Sequence, residues 1–137
     1  MESLLKSFTG KIKNMGNHDY WTHLKLLKML SISRRFERYR IIYCFKIIKG
    51  LTPNCNLNWN CSEKYGQLLD YSEYEHSIRR QSFHLMAPRL FNSIPVYLRL
   101  LNDDITFDTW KVKLDKFLEI IRDNPVTGPN QSGLCEY

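Results

Sequence analysis

The sequence predicts a mainly α fold: a small helical domain over residues 1–123, with three to five helices, a long irregular loop over 51–77 and at most one short β-hairpin. Three observations lead there. Apolar residues recur at helical spacing over 2–15, 20–49 and 107–122. No Gly or Pro interrupts residues 19–49. Asp19, Ser31 or Ser33, and Thr106 stand where a helix start needs a side-chain oxygen.

The first helix is expected over Glu2–Met15, where Leu4, Leu5, Phe8, Ile12 and Met15 share an arc of roughly 100° and the lysines lie outside it. Gly10 weakens this helix by about 1 kcal/mol relative to Ala. Gly16-Asn17 breaks it. Asp19 then caps a second helix, Tyr20–Leu30, with Tyr20, Leu24 and Leu27 on one face.

The third helix, about Ile32–Lys49, is the longest, and Gly50 with Pro53 stops it. At roughly 100° per residue its side chains fall into three arcs. Arg34, Arg35, Arg38, Lys46 and Lys49 form a basic arc of roughly 120°. Ile32, Phe36, Tyr39, Tyr43 and Ile47 form a second arc, and Ile41, Cys44, Phe45 and Ile48 a third. The expected arrangement puts the basic arc in solvent and much of the remainder in a core.

Residues 51–77 are the least regular part. Asn54, Asn56, Asn58 and Asn60 alternate with larger side chains, but Asn disfavours strands. Pro88 biases Ala87 away from helix, so 82–86 is expected to be extended, with Pro88 and Pro95 each opening a short helix. Thr106 caps a last helix, Phe107–Arg122. Its residues Phe107, Trp110, Leu114, Phe117, Leu118 and Ile121 fall in one arc that predicts core docking. From Asn124 the chain is rich in Pro, Gly, Ser and Asn and is expected to be a disordered tail, 124–137.

Charge is uneven. The net +6 arises from +8 over residues 1–50, with 11 basic and 3 acidic side chains, against −1 over 51–105 and −1 over 106–137. A basic third on a near-neutral remainder suggests a localised footprint for nucleic acid or another polyanion, against the alternative of a merely solvated surface. The candidate nucleic-acid-binding residues are therefore Arg34, Arg35, Arg38, Lys46 and Lys49. No apolar run approaches the roughly 20 residues of a membrane span, so no membrane partner is expected. The N-terminus lacks the basic-then-apolar order of a signal peptide, which makes an intracellular location, nuclear or cytoplasmic, the expectation.

Little suggests catalysis. The six glycines form neither a phosphate loop nor a dinucleotide fingerprint. Cys44, Cys55, Cys61 and Cys135 include no Cys-x-x-Cys pair, and with His76 and His84 they miss the usual zinc spacings, so reduced thiols are expected. His18 and His23 do not share a helical face. Asp103-Asp104 lies just before a helix cap, where acidic charge favours the helix dipole. No catalytic residue, metal or cofactor is expected.

Three blocks carry a family likeness: ESLLKSFTGKI; DYWTHLKLLKMLSISRRFERYRIIYCFKIIKGLTPN; and SFHLMAPRLFNSIPVYLR followed by TFDTWKVKLDKFL. In order and spacing they resemble the C-terminal region of reverse transcriptases (RNA-directed DNA polymerases) of non-LTR, LINE-type, Jockey-like retrotransposons. Ser33, Met86 and Ala87 depart from the family pattern, which favours Glu, a basic residue and Gly there. The resemblance implies a post-thumb helical domain that is not an enzyme by itself. It also implies that the palm and thumb of a parent polyprotein would be protein partners, beside weak, sequence-indifferent contact with RNA or DNA. The alternatives are a decayed element fragment without function and a helical protein-interaction module.

Overall fold

Asp19, Ser31 and Thr106 begin helices for one reason: each side-chain oxygen accepts a backbone N–H that has no partner inside its helix. Asp19 accepts from Trp21, Ser31 from Arg34 and Thr106 from Thr109. In the computed structural model, which describes residues 1–12, 17–54, 56–70, 82–121 and 123, these caps open α2 (Tyr20–Leu26), α3 (Ile32–Ile48) and α6 (Phe107–Ile120). The remaining elements are α1 (Glu2–Gly10), β1 (Trp59–Ser62), β2 (Gly66–Leu69), α4 (Phe83–Ser93) and α5 (Val96–Arg99). The protein is mainly α with one small hairpin, as its sequence predicts. Six helices are described, one more than the expected maximum of five; the short helix expected at Pro95 is present as α5, whereas Pro88 lies inside α4 and does not open a helix. The expected tail, 124–137, lies outside the described residues, as do Met15, Cys55, His76 and Cys135.

α2 and α3 end alike. After α3, Gly50 has φ +67°, Leu51 N–H donates to the Lys46 carbonyl and Gly50 N–H to that of Ile47. This is the Schellman closure, which uses a left-handed residue just past the helix. After α2 the same pattern appears with Lys28 at φ 52°: Met29 N–H donates to Leu24 and Lys28 N–H to Lys25. α2 therefore stops at Leu26 and not at Leu30, because a lysine takes the place a glycine usually fills.

Residues 82–86 are not extended. Ser82 precedes α4, and Pro88 lies inside that helix. The hydrogen bond that Pro88 cannot give would have gone to His84, an exposed residue in the first turn. That carbonyl lies at an exposed position, so the lost bond leaves no buried acceptor unpaired.

β1 and β2 pair antiparallel, with Trp59 opposite Leu69 and Ser62 opposite Gly66. The connection 63–65 closes on Gly66, at φ +67°. Only glycine fits there: a Cβ would lie 2.7 Å from the carbonyl carbon and oxygen of Arg99. Asn92 of α4 clamps β2, its side-chain oxygen accepting from Leu69 N–H at 2.9 Å and its amide donating to Leu69 O at 2.8 Å.

The core is built on α3. Ile41, Cys44 and Phe45 meet Leu90 and Phe91 of α4, Leu98 of α5, and Trp110, Leu114 and Leu118 of α6. Phe45 stacks on Trp110 at 4.1 Å between ring centroids, and the buried indole N–H donates to Leu98 O at 2.8 Å. α1 departs from expectation. Leu4 and Phe8 of its apolar arc are 72% and 62% exposed, and the buried residue is Thr9. Polar anchors set its roll: the Glu2 carboxylate accepts from the Tyr20 hydroxyl and from Ile32 N–H. Among the described residues no helix is long and apolar enough to cross a membrane.

Candidate nucleic-acid interface

The five predicted cations of α3 do not form one solvent-facing arc. Arg34 is only 3% exposed, its Nη1 pairs with Glu37 at 2.9 Å and its Nε lies 3.6 Å from Asp123. It faces inward, which corrects the expectation of a solvent-facing cation. Arg38 makes a bidentate pair with Asp115 of α6, at 2.6 and 2.9 Å. That bond pushes the guanidinium pKa further above its ordinary value. Lys49 donates to the carbonyls of Leu101 and Asn102, at 3.4 and 2.8 Å. Lys46 sits over the Phe107 ring, 5.0 Å from its centroid. A helical wheel gives the angle between arcs but not which arc meets carboxylates on another helix. Here α6 brings Asp115, and the chain just beyond it Asp123, against the basic side.

Arg35 and Arg38 are nonetheless brought together. Arg35 donates its Nε to Leu30 O at 3.0 Å, which holds the guanidinium across the α2–α3 turn. With Lys28, Met29, Leu30 and Tyr39 the two arginines line a hollow of about 290 Å³. Lys28 is the member that sequence reasoning missed. No local signal marks it, because a lysine stands where a left-handed helix end usually has glycine. The left-handed turn at Lys28 points the chain into the cap and sets the lysine at the hollow.

The second departure is the aromatic arc. Phe36, Tyr39 and Tyr43 are 47%, 61% and 39% exposed, whereas Ile47 of the same arc is buried. With Arg40, and with Phe83 and His84 from the start of α4, they line an open groove of about 460 Å³. The Tyr43 and Phe83 rings meet edge to face at 5.2 Å. Tyr39 lines both the groove and the basic hollow, so the two are continuous across its ring. Among the described residues neither lining includes an acid.

This surface offers cations to an anion and aromatic faces to a planar or apolar group. Among the described residues no cluster of three His, Cys, Asp or Glu side chains is placed to hold a metal. Cys44 is buried and Cys61 exposed. No model of a known protein family, no curated protein and no solved structure matches the chain.

Proposed function

We propose that the chain binds the phosphate backbone of RNA or DNA, as a non-catalytic domain of a non-LTR retrotransposon reverse transcriptase. The observation that carries the binding is the convergence of Lys28 and Arg35 on one hollow, beside the Asp115-paired Arg38, within a segment of net charge +8. The resemblance of the blocks around α3 and α4 supports the origin. In that reading the chain contributes contacts and no chemistry, and the palm and thumb are its protein partners. Base-edge readers are not evident, so binding is sequence-indifferent, in the range of about 10⁻⁴ to 10⁻⁶ M at physiological salt.

Because Arg34 is buried and Asp115 neutralises Arg38, two or three phosphate contacts remain. Each releases counterions, so log affinity falls against log salt with a slope of about −1.5 to −2.5. Fluorescence anisotropy with a labelled oligonucleotide over a salt series reads that slope. Replacing Lys28 and Arg35 together by Ala flattens it by about 1.5; an unchanged slope would overturn the proposal. A helical protein-interaction module is the second reading, favoured by the exposure of Leu4 and Phe8 on α1.

A further inference from the structure

Exposed aromatic rings on one face of a helix are an apolar surface that a soluble partner should cover. On α3 they follow a strict spacing. Phe36, Tyr39, Arg40 and Tyr43 stand at i, i+3, i+4 and i+7, which makes one stripe about 10 Å long. Phe83 and His84 form its opposite wall. Successive bases of a strand are about 3.4 Å apart, so the stripe is long enough for two or three of them. The basic hollow adjoins it through Tyr39, which lines both.

We propose that this groove receives the unpaired bases of a single-stranded nucleic acid, stacked on Tyr39 and Tyr43, while the phosphates lie toward Lys28 and Arg35. The inference rests on the phosphate-binding reading and adds to it a choice of strand state. A duplex hides its base faces in its own stack and can meet only the cations. A single strand can use both cations and rings, because every base has a π-face. Charge also argues for this occupant over a second copy of the chain. Self-pairing of the same patch would set Arg40, and the cations beside it, against their own images. A strand carries one negative charge per nucleotide and complements them.

The test uses the full chain, a labelled 12-nucleotide oligo-dT and the matching dT·dA duplex, at low salt. The single strand should bind at least about five-fold more tightly. Tyr43→Ala should erase that preference while leaving duplex affinity and its salt slope unchanged, and Tyr43→Phe should keep it, since the ring remains. Equal binding of both strands by the parent chain, untouched by Tyr43→Ala, would overturn the groove assignment and leave phosphate binding standing. Absence of binding to either strand would overturn both. A dimer in sedimentation that Tyr43→Ala dissolves would overturn the inference in favour of a second copy.

Discussion

Asp123 accepts two hydrogen bonds from Ser31, one from the backbone N–H and one from the hydroxyl, both at 2.6 Å and across 92 positions of chain. The carboxylate lies at the start of α3, where unsatisfied N–H groups concentrate positive potential. Ser31 is 2% exposed, so its donors have no water to turn to. Asp123→Ala should destabilise the protein by about 2 kcal/mol, mostly through those orphaned donors. Urea unfolding measures it. A cost near zero would mean that this contact does not hold the end of α6 to α3.

Asp115→Asn is expected to strengthen nucleic-acid binding. Asp115 now accepts from Nε and Nη2 along one edge of the Arg38 guanidinium, which lines the basic hollow. Without the carboxylate's charge Arg38 becomes available as a further phosphate contact, and the salt slope steepens by about 0.7 to 0.9. The pair is only partly buried, at 16% and 37% exposure, so the stability loss should stay under about 1 kcal/mol. The anisotropy salt series and one urea curve check both halves.

Lys28→Gly separates folding from binding. A lysine at φ 52° is strained where glycine is not. Its replacement should raise stability by about 0.5–1 kcal/mol after the entropy of the freer unfolded chain is included. The same change removes a cation from the hollow and should flatten the salt slope by close to 0.8. Lys28→Ala should lose binding without gaining stability. A glycine variant that is less stable than the parent would contradict the turn geometry.

Trp110→Ala should cost about 3–5 kcal/mol. Trp110 is fully buried, stacks on Phe45 and satisfies the Leu98 carbonyl. Thermal unfolding followed by far-UV circular dichroism measures the loss; a cost below about 1 kcal/mol would make α6 an appendage.

Tyr20 gives the protein a sensitivity to alkali. Burial, then the hydrogen bond to Glu2 and the charge of that carboxylate, push its phenol above the ordinary value of 10.0. A raised folded pKa stabilises the native state below the unfolded value and loses that contribution as pH rises through the folded one. Stability should therefore decline above about pH 10. Tyr20→Phe should show a shallower decline in urea midpoints measured from pH 8 to 11; parallel curves would exclude the contribution.

What could be read in advance was local. The caps at Asp19, Ser31 and Thr106, the stop at Gly50 and the buried stripe of α6 each depend on residues within one or two turns. The end of α2 was hidden because Lys28 does a glycine's work, and the start of α4 because Pro88 is tolerated where the His84 carbonyl lies at an exposed position. The orientation of α3 was beyond local reading. Its arcs were correctly separated, yet Asp115 and Asp123 lie 77 and 92 positions from their partners, and they decide that much of the basic side turns inward. That leaves Tyr39 and Tyr43 outside.

Glu2 reaches Ile32 N–H and Asp123 reaches Ser31 N–H, so two distant stretches of chain converge on neighbouring residues. The order in which the helices are threaded is then separable from the way they pack. A linker of about six residues, at roughly 3.5 Å each, could join position 123 to position 1. The cut could move to 63–65, whose three side chains are exposed at the hairpin tip. Such a circular permutant would keep every helix contact while making α4 precede α1, which offers a route to placing labels or fusions on the hairpin, away from α3.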